Sequence, residues 1–571
     1  MSIPPLDLVL LWHMHQPDYR DYATGEFALP WVYLHALKDY SDMAAHLEAR
    51  PGIKAVVNFV PILLDQIEDY AEQLSTCKLK DPLLRLLARE DLDRTTPEER
   101  ALVLDRCWHA NHARMIEPFP AYRRLKDLFE FLEKEGETAL AYLSGQYLAD
   151  LLTWYHLAWT GETVRRSQAL VPQLLSKGER FDHADRLALL DLIRDTLCGL
   201  IPRYRRLAES GRIELSSTPH FHPLAPLLID FGAARDAMPD APLPAAIGYP
   251  GGRSRVAFHL ESALASHARR FGQPPRGVWP AEGAVSTPTL EVFARQGVQW
   301  IASGEAVLAN SLRRAGREPG DKIEWLYRPW HLAGEAAGVA CCFRDDRLSD
   351  LIGFEYCRWH GSDAAAHFVG ELEAIAHAAP EGEVPLVSVI LDGENAWEFY
   401  PYNGFYFLSE LYARLQAHSS IRTTTYGDWL EEPTRTGQPR KAIGELPGLA
   451  AGSWVYGNLA TWIGSAEKNH AWDLLVQAKQ SSDLVLGSGR LTDEEQRAAL
   501  VQLASCESSD WFWWFGDYNP AHAVASFDHL FRRNLSHLYR LLKLPVPEGL
   551  SHPISIGGGA PEAGGAMRRS G

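Results

Sequence analysis

Five short apolar runs, rich in β-branched residues and separated by stretches of helical periodicity, constrain this chain more than any other feature. They are LDLVLLW (residues 6–12), IKAVVNFV (53–60), RIELSS (212–217), VQWIAS (298–303) and VPLVSVIL (384–391). Runs of this length with little polar alternation read as strands covered on both faces, which belong to parallel sheets with helical crossovers. The intervening sequence agrees. TPTLEVFARQG (287–297) offers Thr287 as a cap, Pro288 for the first turn and Gly297 for the exit, and AAAHFVGELEAIAHAA (364–379) also reads as helix. Strand and helix in alternation predict an α/β fold whose parallel sheet curls into a barrel.

Two regions break the rhythm. Residues about 62–210 carry long, charged amphipathic segments such as ADRLALLDLIRDTLCGLIPRYRRLAESG, which read as a helical insertion between the second and third strands. Beyond residue 432 a Pro/Gly-bearing connector leads to a second helical stretch. The expected organisation is therefore a catalytic barrel over 1–432, a C-terminal helical domain over 433–548 that contributes to the active site, and a Gly/Ala-rich tail over 549–571 without fixed structure.

Composition narrows the class of partner. Lys and Arg total 56 against 73 Asp and Glu, and a net charge of −17 argues against nucleic acid or an anionic membrane surface. A neutral substrate fits better. The N-terminus has no basic leader and no run approaches 18 apolar residues, which points to a cytoplasmic protein. Seven cysteines without a Cys-x-x-Cys pair suit reduced, mostly buried thiols rather than disulfides or zinc knuckles, with Cys341 and Cys342 in a strand.

The 18 Trp, 21 Tyr and 21 Phe cluster in places with acids and amides, as in ENAWEFYPYNGFYF (394–407) and DWFWWFGDY (510–518). Such mixtures suit sugars, whose apolar faces stack on rings while their hydroxyls bond to polar side chains. Acids and imidazoles also follow several predicted strands: His13, His15 and Gln16 in LLWHMHQP, Glu214 in GRIEL, Glu282 in WPAEG, and Asp392 and Glu394 in LDGEN. In parallel α/β proteins the strand C-termini are where substrate meets a rigid base. Paired carboxylates there invite glycoside cleavage, one ionised and attacking the anomeric carbon, the other protonated and donating to the leaving oxygen. From the residues alone the roles of Glu282 and Asp392 are interchangeable.

The ordered set LLWHMHQP, GRIEL, GVWPAEGAVS, LDGENAWEFYP and SWVYGNLATWIG resembles the five signature regions of glycoside hydrolase family 57, especially its amylopullulanase-like branch. Adjoining segments extend the likeness over nearly all of residues 6–545. It implies a distorted (β/α)7 barrel with a C-terminal α-helical domain, acting on α-glucans or malto-oligosaccharides with retention and needing no cofactor or metal. Matched motif by motif, Glu282 falls on the nucleophile and Asp392 on the general acid/base. His13, His15, Glu214 and Glu394 fall on the lining of the reacting-sugar subsite, and Trp279, Trp330 and Trp462 on its aromatic contacts. The chain departs from the common pattern at Arg212 and Pro280. Three other readings stand beside a hydrolase: a 4-α-glucanotransferase or branching-type transglycosylase on the same site, a metal-dependent barrel hydrolase or deacetylase built on His13-x-His15, and an α-glucan-binding protein without activity.

Overall fold

The computed structural model describes residues 3–432, 434–435, 438–439 and 443–559. Its main sheet has ten strands: β1 (Leu6–Met14), β2 (Ala55–Phe59), β3 (Ile213–Ser217), β4 (Gly277–Val278), β5 (Trp300–Ser303), β6 (Trp330–Leu332), β7 (Ala340–Phe343), β8 (Leu386–Asp392), β9 (Ile421–Thr423) and β10 (Gly444–Leu446). The spatial order is β10-β6-β7-β5-β4-β3-β2-β1-β8, with β9 pairing the first half of β1. Neighbours are parallel except β6 and β7. The sheet is mixed and curled. Two backbone bonds tie β8 back to segments beside β7 and β6, from Asp345 N to Ser388 O (2.8 Å) and from Leu386 N to Tyr327 O (3.0 Å).

Each of the five expected strands is present, β1 buried along all nine residues. Along β1, Leu6, Leu8, Leu10, Trp12 and Met14 join the large core shared with the helices, whereas Val9 and Leu11 belong to a separate cluster with Val56, Trp300, Leu386 and Ile390 inside the curl. The period of two thus turns Asp7, Val9, Leu11 and His13 inward. Register sets the layers. Ile390, Leu11, Val56 and Glu214 share one interior row, and Asp392, His13, Asn58 and Ser216 share the next one toward the strand C-termini.

Between β2 and β3 the chain is helical, from Pro61–Thr76 to the 27-residue helix His183–Glu209. After β10 come Ala466–Leu486, Asp493–Cys506, Asp510–Trp514 and Ala521–Leu541. The helix expected at 287–297 spans Thr287–Arg295, but its cap is Ser286, whose side chain accepts from Thr289 N; Thr287 Oγ1 instead accepts from Leu449 N. Part of the expected tail is ordered. Ile554 N and Ser555 N donate to Asp528 Oδ1, and Gly558 N and Gly559 N to Asn519 O, while residues 560–571 lie outside the described residues. All seven cysteines are free thiols, with Cys107, Cys341, Cys342 and Cys506 buried and Cys77 and Cys198 exposed. Among the described residues no helix is long and apolar enough to cross a membrane.

Candidate active site

The interior row that ends the strands floors a cavity of about 750 Å³. Its lining includes His13, His15, Gln16, Glu282, Asp392 and Glu394, so six of the residues singled out in the sequence meet in one space. His13 and Asp392 are register partners on β1 and β8. Between Asp392 and Glu394 the chain needs a residue without a side chain. A Cβ on Gly393 would lie 2.0 Å from Met14 Sδ, and Gly393 N donates to His13 O (2.7 Å), which locks the acid-bearing turn onto β1.

Glu282 arrives differently. It lies in the short turn Ala281–Gly283 after β4, with φ at +59°, a left-handed conformation that costs a non-glycine residue on the order of 1–2 kcal/mol. Trp454 holds it from two sides, its backbone N donating to Glu282 O (3.2 Å) and its indole Nε1 to Oε2 (3.3 Å). An antiparallel bridge between Val285 and Gly452 anchors the Trp454 segment against this turn. The other carboxylate oxygen lies 4.0 Å from His222 Nδ1, and His222 is itself left-handed, with φ at +57°.

Asp392 and Glu394 both sit in desolvated surroundings. Burial raises Asp392 to about 6, against the opposing pull of the Asn395 amide, which donates to Oδ2 (2.9 Å), and of His15 and Arg344. Burial and then the neighbouring Asp392 push Glu394 up further, although His15 N (3.2 Å) and Gln16 Nε2 (3.3 Å) donate to its Oε1. Burial and the neighbouring Asp392 thus both favour the protonated form of Glu394.

Three imidazoles stack beside the acids. His15 and His222 lie 3.8 Å apart at 20°, and His13 lies 5.8 Å from His15 and 5.5 Å from His222. Burial, helped by the neighbouring imidazoles, lowers His13 to about 3 and His222 well below the ordinary value, so both are neutral. Asn58 Oδ1, which also accepts from Thr218 Oγ1 (3.0 Å), takes a hydrogen bond from His13 Nδ1 (2.7 Å); the Asn58 amide points the other way, to Ser216 Oγ (3.0 Å). His13 Nε2 is then an acceptor. His15 Nε2 pairs with Asp510 Oδ1 (2.8 Å) and His222 Nδ1 with Ser509 Oγ (2.9 Å), both from the edge of the C-terminal helix Asp510–Trp514.

His15, His222 and Asp510 bring one potential metal-ligand atom each within 4.8 Å of one another, the group among the described residues that a cation would favour. His15 Nε2 and His222 Nδ1 already have hydrogen-bond partners, Asp510 Oδ1 (2.8 Å) and Ser509 Oγ (2.9 Å), which a metal would have to displace.

Four sequence expectations fall elsewhere. Glu214 faces inward but one layer too low, level with Leu11 and Ile390, about 7 Å beneath the His13 row at ~3.3 Å per residue. There it accepts from Trp300 Nε1 (2.7 Å) and Gly427 N (2.8 Å), a structural bridge outside the cavity lining. Trp330 lies in β6 with its indole bonded to Trp325 O, between the Arg317 and Arg328 guanidinium groups and away from the site. Trp279 is wholly buried under the floor, 5.9 Å from the His13 ring and 5.0 Å from Trp454. Trp462 is likewise buried, backing Trp513 at 5.9 Å, and it is Trp513 that lines the cavity. The site also recruits residues not singled out beforehand: Arg344, His222, Trp454, Asp510 and Trp513. Trp454, Asp510 and Trp513 lie inside stretches already conspicuous in the sequence, SWVYGNLATWIG and DWFWWFGDY, whereas Arg344 and His222 lie in FRDDR and TPHFHP.

The sequence pattern of Glycosyl hydrolase family 57 matches residues 9–441. This chain belongs to glycosyl hydrolase family 57. Solved structures share the architecture. A family 57 branching enzyme from Thermococcus kodakaraensis is 16% identical over 94% of this chain and 90% of its own, with a TM-score of 0.57. A branching enzyme from Pyrococcus horikoshii is 15% identical (94% and 89%, TM-score 0.56), and an α-amylase from Thermotoga maritima 13% identical (94% and 94%, TM-score 0.54). At such identities the likeness to these three structures concerns the fold. No curated protein matches the chain in sequence.

Proposed function

We propose that this family 57 chain cleaves α-glucans by double displacement with retention, Glu282 acting as nucleophile and Asp392 as general acid/base. One observation carries the assignment. Both carboxyl groups line one cavity, yet burial raises Asp392 to about 6, while Glu282 accepts the Trp454 indole N–H (3.3 Å).

In the first step a Glu282 oxygen bonds to the anomeric carbon as the glycosidic C–O bond breaks, and the leaving oxygen takes the Asp392 proton. Water then gives a proton to Asp392, and its oxygen displaces Glu282 from the anomeric carbon. A sugar hydroxyl in place of that water turns hydrolysis into transfer, the second reading, and the relatives sharing this fold bear the names of both amylase and branching enzyme. Neutral His13 and His222, protonated Glu394 and the His15–Asp510 pair supply acceptors and donors for the reacting sugar's hydroxyls. Trp454 and Trp513, from beyond residue 433, supply rings, so the C-terminal helical region completes the site begun by the barrel of 1–432 and its 62–210 insertion. The signature motifs favour the amylopullulanase-like branch, with α-1,4 bonds and α-1,6 branch points both proposed substrates. Seven free thiols fit a reducing, cytoplasmic setting.

Incubation with maltoheptaose and with pullulan, products resolved by chain length, tests the reading. Shorter chains alone indicate hydrolysis and longer ones transfer. Glu282→Gln should lower turnover by at least about three orders of magnitude with the fold intact; near-wild-type activity refutes the assignment.

A further inference from the structure

A second cavity, of about 740 Å³, abuts the first on the same edge of the sheet. β5 ends at Ser303 and leads into the helix Glu305–Arg314; β7 ends at Phe343 and leads into Asp346–Asp350. Residues of both helices line the space, with Lys322 and Trp325 opposite them. Asp350 lines both cavities. The wall between them is the Arg344 guanidinium, which faces the first cavity, donates through Nε to Asp346 Oδ1 (2.6 Å) and through Nη2 to Asp350 Oδ1 (3.2 Å) in the second, and through Nη1 to Ile390 O (3.1 Å), two residues before Asp392.

The second space is built for a neutral, hydroxyl-rich ligand. Its volume falls within the roughly 300–1,000 Å³ of ordinary ligand sites. Its charges are mixed rather than gathered by sign: Glu305 Oε2 accepts from Lys322 Nζ (2.7 Å) and Asp346 N (3.1 Å), Asp346 and Asp350 pair with Arg344, and the lining guanidinium groups of Arg313 and Arg347 pair with Glu318 (3.6 Å) and Glu371 outside the lining. That mixture disfavours a phosphate or a bare cation, while carboxylate acceptors and guanidinium donors match pyranose hydroxyls.

We infer that this groove holds the part of an α-glucan chain extending beyond the reacting unit, so that cavity and groove together favour long chains. The inference rests on the proposed function. Gly320→Trp and Arg313→Ala in the full-length enzyme test it. A Cβ on Gly320 meets only the flexible carboxylate end of Glu324 (2.9 Å), so an indole there narrows the groove without displacing backbone. The expected result is a rise of about tenfold in KM for amylose or maltoheptaose, with kcat/KM for maltotriose changed by less than about twofold. Long-chain KM within about twofold of wild type in both variants overturns the groove assignment while leaving the catalytic one standing. Wild-type enzyme inactive on every α-glucan, together with a Glu282→Gln variant that shows no maltoheptaose binding by calorimetry, overturns both.

Discussion

The raised Asp392 carboxyl makes a two-sided prediction. Its value near 6, against roughly 3.9 for an unburied aspartate, corresponds to about 3 kcal/mol acting against the ionised form inside the protein. As the acid of the first step it must be protonated, so kcat/KM for malto-oligosaccharides should fall tenfold per pH unit above about 6, reaching roughly one hundredth of its plateau by about pH 8. A donor whose leaving group needs no proton, such as α-glucosyl fluoride, should lose most of that alkaline limb. The same burial must appear in stability with a sign that follows from linkage. The folded state keeps the proton that the unfolded chain releases near pH 4, so unfolding free energy falls as pH rises from about 4 through 6, and the loss is complete above that window. Asp392→Asn removes the ionisable group while retaining an oxygen for the Asn395 amide. It should unfold at higher denaturant concentration than wild type at pH 8, by up to about 3 kcal/mol, with the gap closing below about pH 4. A flat kcat/KM profile between about pH 6 and 8, or an Asn variant less stable than wild type at pH 8, refutes the assignment of Asp392 as the buried acid.

Three further outcomes follow from the same geometry. Glu214→Gln leaves one oxygen to serve both Trp300 Nε1 and Gly427 N; denaturant titration should show a loss of about 1–3 kcal/mol, with KM for maltoheptaose within about twofold of wild type. Asp510→Ala strips His15 Nε2 of its partner; kcat/KM should fall about 10- to 100-fold with an unchanged circular dichroism spectrum. Because His15 Nε2 and His222 Nδ1 are already hydrogen-bonded to Asp510 and Ser509, dialysis against a chelator should leave activity intact, and elemental analysis should find no stoichiometric metal; loss of activity restored by zinc would revive the metal-hydrolase reading.

The fold was legible where local physics decides it. β1, β2, β5 and β8 are largely apolar runs because both faces are covered, and such runs stand out in any sequence, while β3 shows only Ile213 and Leu215 beside its polar residues. The strands that escaped notice are two or three residues long, such as β4, β6 and β9; β7, with Ala and Cys rather than Val and Ile, is marked only by the Cys341–Cys342 pair. Pairing with neighbours makes them strands, and pairing is not local. The segment 549–559 looked structureless for a related reason. Its glycines bury little surface, and its order comes from Asp528 and Asn519, which lie earlier in the chain.

Legibility of the site divides along the same line, and Glu214 shows where. GRIEL and LDGEN both place an acid in or just after an apolar run, but β8 carries Asp392 as its last residue whereas β3 carries Glu214 as its second. Parity along a strand is visible in one sequence, and it correctly turns both acids inward; depth depends on the register between strands, which one sequence does not display. A misjudged depth of two residues converts a substrate-facing carboxylate into a clamp on Trp300. The same reasoning separates Trp454 from Trp462: both come from SWVYGNLATWIG, yet only the one beside the Val285–Gly452 bridge is pulled over Glu282, while the other is spent backing Trp513. Aromatic and acidic composition therefore announces a sugar-type site, and the placement of each ring and carboxyl is then decided by contacts between segments far apart in the chain.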